Sequence, residues 1–217
     1  FAHFSTVENV TLIFIDQNNR VWDLKTRTYK EVEFDMDIHF RLYGNKPKNY
    51  IEFGEFTDND RNVVKQVREM RKFNHIDFNS MTEYLNRYSH NTTAIGPGGS
   101  ELIWVSDEKR FYVNMRNRAG KVLNLALKSE HVHKLVLNTG WFEYEVASLL
   151  SLWEKTRQLR LNCVFPTQSG SPKNEIDIIV NTGTKLLFVE CKTQIKNETD
   201  IDKFASAVRV YGGLGSK

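Results

Sequence analysis

The chain has 217 residues, 40% hydrophobic and 26% charged, with 30 Lys and Arg against 27 Asp and Glu for a net charge of +3. That composition suits a globular protein with one large core or two small ones, and it excludes disordered and collagen-like classes. Two cysteines, Cys163 and Cys191, exclude a disulfide framework and fit a reducing cytoplasm, and no apolar run approaches the ~18 residues of a membrane span.

The small positive charge is a weak pointer to a polyanionic partner. The chain opens on Phe1 rather than Met, and reads as a fragment or a processed chain. "VTLIFI" (10–15) is a buried-strand run, "DQNN" supplies turn chemistry, and "RVWDL" is the return strand of a hairpin. Gly44 and Pro47 in "LYGNKPKN" (42–49) mark a boundary. Thr57 opens a helix with Asp58 and Asp60 in its first turn and Val63, Val64, Val67 and Met70 at helical spacing. Ser80 and Glu83 have the spacing of a capping box, with Met81, Tyr84, Leu85 and Tyr88 as one stripe behind it. "NTTAIGPGGS" (91–100) reads as a linker.

Short strands follow at "ELIWV", "RFYVNM", "KVLNLAL" and "KLVL". Between Lys109 and Lys128 there are six basic residues and no acid, with Phe111 and Tyr112 among them. Basic residues interleaved with aromatics suit a nucleic-acid backbone, with Arg116 and Arg118 in the "RNRAG" turn as candidates. The same pattern also reads as a solvated hairpin face.

The last third predicts a helix from Trp141 to Gln158, capped by Asn138 or Thr139, with Phe142, Val146, Leu149, Leu150 and Trp153 as its apolar stripe. "LNCVFP" (161–166) is a strand, "TQSGSPKN" a loop, "NEIDIIVNTGTKLLFVECKTQI" (174–195) a hairpin, and "TDIDKFASAVRVYGG" a second helix. Asp177, Glu190 and Lys192 stand in that hairpin where a core strand would carry Val or Ile. Alternation puts Leu186, Phe188, Glu190 and Lys192 on one face, and a turn near Thr182–Thr184 puts Asp177 opposite Glu190.

Two carboxylates at such a spacing repel, and burying them bare costs several kcal/mol per ion. Mg²⁺ or Mn²⁺, which takes oxygen ligands, reconciles them, and a lysine beside them can orient or deprotonate a water and offset charge on a phosphate. The competing reading is a buried Glu190–Lys192 ion pair with Asp177 as a strand-end carboxylate. Asp23-Leu24-Lys25 and Asp107-Glu108-Lys109 have the acid-x-Lys triplet or its like without the hairpin and the flanking helices.

The order helix, "NEID", "FVECKT", helix resembles the PD-(D/E)XK nuclease core of restriction enzymes and junction-resolving nucleases. More particularly, it resembles the CRISPR-associated nucleases that join a CARF domain to such a core. Residues 1–45, "LIFIDQNNRVWDL…FDMDIHFRLYGNK", resemble the end of a CARF domain, a closing hairpin followed by an "LYG" exit. The resemblance implies an α/β, restriction-endonuclease-like αβββα core, a mixed sheet flanked by helices, at residues 138–217. A smaller α+β region precedes it, made of a CARF-like remnant at 1–46 and a connector at 47–137.

It implies Asp177, Glu190 and Lys192 as catalytic residues. A first-helix acid, Glu143 or else Glu145, joins them, and the preferred match is Glu143. The implied metal ligands are Asp177, Glu190, Glu143 and the main-chain carbonyl of Cys191, and Lys203 on the second helix is the implied phosphate contact. It further implies a cytoplasmic homodimer that cuts DNA, with RNA as a second substrate, and that cyclic oligoadenylate switches on in the full-length protein. Ile176 stands where the name's Pro would be, and the earlier CARF strands and the strand after "GG" lie outside this sequence. A stand-alone repair or junction-resolving nuclease and a catalytically silent nucleic-acid-binding domain are the alternative readings.

Overall fold

The structure, a computed structural model, describes residues 13–15, 20–23, 25–32, 35–42, 44–88, 90–166, 174–192 and 198–212. It is α/β throughout, and divides into a unit of residues 1–50 with 153–217 and a unit of residues 51–152.

The first unit begins with an antiparallel ribbon of β1 (Ile13–Ile15), β2 (Arg20–Asp23) and β3 (Thr28–Glu31). The β2–β3 turn is tied by the Asp23 carboxylate, which accepts the amides of Lys25 and Thr26 at 2.8 and 3.2 Å. Beyond this ribbon, in a stretch for which the sequence suggested no helix, the chain forms α1 (Met36–Leu42). Asp35 makes it possible: its carboxylate accepts the amides of Asp37 and Ile38 at 2.7 and 3.0 Å, as an N-cap does. Met36, His39 and Phe40 then fall on one buried face.

A four-stranded sheet follows, in the order β11 (Leu186–Val189), β10 (Asn174–Asn181), β9 (Gln158–Phe165), β4 (Asn49–Glu52). The β9–β10 and β10–β11 pairs are antiparallel. Met36, Phe40, Cys163, Phe165, Ile176, Ile179, Leu186, Phe188 and Tyr211 form the core of this unit. Tyr211 comes from α6 (Glu198–Gly212) and stacks on Phe165 with ring centroids 4.1 Å apart. His39 Nε2 bonds to the Gly212 carbonyl at 3.0 Å and Asn45 Nδ2 donates to the Val210 carbonyl at 2.9 Å, so both satisfy carbonyls in the last turn of α6. Arg160, only 3% exposed, bonds Asp37 at 2.8 Å and lies 4.0 Å over the Tyr50 ring. That guanidinium holds the Asp37 carboxyl below the usual carboxylate range.

The second unit places α2 (Asp58–Phe73), α3 (His75–Leu85), α4 (Val132–Val136) and α5 (Gly140–Ser151) with an antiparallel meander, β5 (Thr92–Ile95), β6 (Glu101–Val105), β7 (Arg110–Arg116) and β8 (Val122–Lys128). Leu102, Trp104, Phe111, Val113, Met115 and Leu127 share a core with Val63, Val67 and Met70 of α2. Thr57 opens α2, as the sequence indicated, and caps it reciprocally with Asp60.

Four expectations in this region change. The cap of α3 is Asn74, whose side chain accepts the Asp77 amide, so Ser80 lies mid-helix, and the Tyr84 and Tyr88 rings meet at a tilt on the exposed side. The presumed linker is β5 plus a tight turn. Asp77, 1% exposed, accepts the amides of Gly98 and Ser100 at 2.8 and 3.1 Å. "KLVL" belongs to helix α4, because Val132, Leu135 and Val136 bury together at helical spacing. Finally, α5 stops at Ser151 and buries Trp141, Tyr144 and Ala147, leaving Leu149 70% exposed. Thr139 holds its N-cap position with φ 65° and gives no capping hydrogen bond.

Gly140 shows how tightly α4 and α5 meet: a Cβ there would lie 2.0 Å from the Lys134 carbonyl oxygen. Backbone cannot yield as a flexible side chain can. Gly140→Ala is expected to lower stability by about 1–3 kcal/mol, read as a lower urea midpoint with an unchanged m-value, whereas Gly120→Ala, with open space around it, tests only the cost of its positive φ.

Candidate active site

Within the first unit, the β10–β11 register pairs Ile178 with Val189, Ile179 with Phe188, Val180 with Leu187 and Asn181 with Leu186. The turn closes as the sequence suggested, with the Thr182 amide donating to the Lys185 carbonyl at 3.0 Å and Gly183 at φ 84°. Continuing that register one step past Val189 brings Asp177 level with Glu190. The strands thus meet at the position that the spacing requires.

The open end of the hairpin is tied by one short bond: the Cys191 amide donates to Asp177 Oδ2 at 2.6 Å. Asp177 is half-buried. Burial pushes its carboxyl up to about 6; the Cys191 amide opposes that rise, and the charge on Glu190 adds to it. Lys192 Nζ lies 2.5 Å from Glu190 Oε1, with side-chain exposures of 47% and 22%. Two carboxylates, one lysine and a buried main-chain amide therefore gather over the last residues of one hairpin.

The donor set suits a hard divalent cation, which needs only one or two protein carboxylates and fills its other positions with water and phosphate oxygens. Among the described residues no three His, Cys, Asp or Glu side chains converge as a metal-binding group. Asp177 and Glu190, with a main-chain carbonyl, are the ligands on offer. The Cys191 side chain is buried and forms no disulfide.

The sequence reading passed over Asn162. It stands inside β9 with φ 51°, a left-handed conformation, and its register partner is Asp177: the β9–β10 ladder runs Ile176↔Cys163 and Ile178↔Leu161 and omits the pair between them. Ile179, Ile176, Cys163 and Phe165 belong to the core cluster, whereas Ile178, Val180, Leu159 and Leu161 are equally buried but outside it. Ile176 and Ile179 are three residues apart, a spacing that strict alternation puts on opposite faces. The face therefore switches at the Asp177–Asn162 position. A left-handed non-glycine residue costs about 1–2 kcal/mol, least for Asn. The signal in the sequence is a polar Asn within "LRLNCVF".

The other candidates lie apart from this cluster in the chain. Lys203 is exposed on α6, which packs on β11. Arg116 and Arg118, both exposed at the end of β7 and in the turn after it, belong to the 51–152 unit. Glu143 and Glu145 belong to that unit as well: Glu143 is 6% exposed and accepts from Thr139 Oγ1 at 3.4 Å, and Glu145 pairs with Arg68 at 2.8 Å.

An open cleft of about 1030 Å³ is lined by Asp35, Asp37, Arg157, Arg160, Asn181 and the Thr182–Thr184 turn, among others. It lies at the turn end of the hairpin, four residues or ~13 Å along β10 from Asp177. Its buried Arg160 is already engaged by Asp37 and Tyr50. Asp177, Glu190 and Lys192 stand at the other, open end of the hairpin.

No family model and no curated protein matches the chain. Among solved structures, the fold is similar to Can2 from Sulfobacillus thermosulfidooxidans in complex with cyclic tetra-adenylate, at TM-score 0.50 and 19% identity. It is also similar to protein VC1899 from Vibrio cholerae, at TM-score 0.60 and 13% identity. Each match covers 95% of this chain and 58% of the neighbour, so the chain spans less than two thirds of either protein. The fold is shared with the matched parts of Can2 and VC1899.

Proposed function

We propose that the chain carries the phosphodiester-cleaving part of a CRISPR-associated nuclease of the CARF/PD-(D/E)XK kind. The observation that carries the proposal is the β10–β11 register, which sets Asp177 level with Glu190 and bonds it to the Cys191 amide. The motif resemblance and the fold similarity to a protein bound to cyclic tetra-adenylate support it from two sides.

In this reading Asp177, Glu190 and the Cys191 carbonyl hold Mg²⁺ or Mn²⁺, which when bound polarises the scissile phosphate and lowers the pKa of a water. Asp177, fixed by the Cys191 amide, presents its second oxygen as a ligand. Lys192, held as an ammonium by Glu190, orients the attacking water and balances the charge of the phosphate. Glu143 is the further acid that the resemblance adds. Lys203, Arg116 and Arg118 contact the nucleic-acid backbone. The substrate is DNA, with RNA as a second one, cut by a homodimer in the cytoplasm. Cyclic oligoadenylate is the activator of the full-length protein.

In full-length protein with Mn²⁺ and cyclic tetra-adenylate, Glu190→Ala and Lys192→Ala are each expected to lose at least about 100-fold in cleavage rate. EDTA should abolish cleavage by the parent, and Asp177→Ala should abolish the Mn²⁺-linked rise in Tm. Wild-type-like cleavage by Lys192→Ala overturns its assigned role. Cleavage confined to Holliday junctions and indifferent to cyclic tetra-adenylate favours a repair nuclease instead.

The raised Asp177 carboxyl gives a second expectation without metal. A carboxylate whose folded pKa lies above its unfolded value stabilises the fold while protonated. That contribution is full below about 3.8 and is lost as pH rises through about 6. Asp177→Asn, neutral at every pH, is therefore expected to raise the metal-free Tm at pH 7 and to flatten the fall in stability between those two values, measured by thermal melts across pH.

A further inference from the structure

Regular alternation from Ile179 would place Asp177 on the face that joins Phe188, Phe165 and Met36 in the core. Phe188 and Phe165 are buried on that face, where a carboxylate would lose its water. Instead the face switches at the one β9 position with a left-handed backbone, so that Cys163 and Ile176 take the core and Asp177 is left half-buried, within reach of the Cys191 amide.

β9 lies between β10 and β4 in the sheet. The irregularity is therefore in a central strand, not the edge or rim where bulges gather. Left-handed backbone outside glycine is commonest for Asn and a true outlier for β-branched residues. Val164 and Phe165 in the same strand are of types that favour a regular ladder. Irregular backbone kept inside such a strand, and in register with the candidate metal ligand, marks a functional constraint.

We propose that Asn162 is a positioning residue for Asp177: its left-handed backbone turns over the faces of the β9–β10 pair and so delivers the carboxylate to the open end of the hairpin. The role in cleavage rests on the nuclease reading above, and the placement of Asp177 does not.

The test compares full-length wild type with Asn162→Gly, Asn162→Val and the milder Asn162→Ala, the last standing in should Asn162→Val fail to fold. Two readouts are taken: protection of the Cys191 amide in metal-free hydrogen–deuterium exchange, and the Mn²⁺ concentration that gives half of the metal-linked rise in Tm. Glycine adopts the left-handed conformation freely, so Asn162→Gly should keep both readouts. Asn162→Val and Asn162→Ala should lose Cys191 protection and need on the order of 10- to 100-fold more Mn²⁺. Wild-type protection of Cys191 in Asn162→Val or Asn162→Ala overturns the assignment, and so does an equal loss in Asn162→Gly. If wild type itself shows no Mn²⁺-linked rise, the nuclease reading falls and the Cys191 readout alone decides the placement.

Discussion

A single cross-strand bond, from the Cys191 amide to Asp177, fixes the geometry on which the site depends. It joins the end of one strand to the side chain of the next, and so sets Glu190 and Lys192 on either side of the donor. Magnitudes explain why the carboxyl still stays up near 6. One hydrogen bond to a charged group contributes about 1.5–3 kcal/mol, whereas removing a carboxylate from water costs several kcal/mol. The amide alone does not offset the burial, and the Glu190–Lys192 pair nearby is nearly neutral as a whole. In the proposed reading a divalent cation supplies the charge and takes the oxygen ligands that remain.

The surroundings of the hairpin are correspondingly stiff. On one side α6 leans on β11 and is anchored through Tyr211 on Phe165 and through the two side chains that satisfy its final carbonyls. On the other, Arg160 binds β9 to α1 through Asp37. A largely buried arginine engaged by a carboxylate and an aromatic face serves as a rigid brace, because its planar head is held from two directions. Catalytic constellations need this kind of support, since small displacements of a ligand are costly.

Much of this was legible in the sequence wherever one residue type had one cause. The hairpin, its turn and the shared face of Glu190 and Lys192 follow from a period of two and a Thr-Gly-Thr turn. Thr57 with Asp60, and the strands from Glu101 to Lys128, follow from local capping and alternation. The misreadings come where a distant partner decides. "NTTAIGPGGS" looks like a linker until Asp77, from a preceding helix, gathers its amides: burial works against that carboxyl's charge, but the bonds from Ser100 and Gly98 outweigh it and hold it below the usual range. Ser80–Glu83 has the spacing of a cap, yet Asn74 lies upstream and starts the helix first. The stripe assigned to α5 failed because Trp141 and Tyr144 found a core that periodicity could not reveal. Asn162 was passed over for a different reason: a strand's period does not announce that one residue will leave it, and only its polarity within "LRLNCVF" marks it.

The unit that holds the hairpin is assembled from two separated stretches of chain, with residues 51–152 between them. The hairpin itself is local and of a kind that closes in about 1–10 μs. Its seat is not local: Lys48 must find Val164, and Asp37 must find Arg160, across the whole intervening unit. During synthesis α1 and β4 therefore wait, unpaired, until β9 emerges. The unit that carries the candidate site is completed only after the residues between have been made.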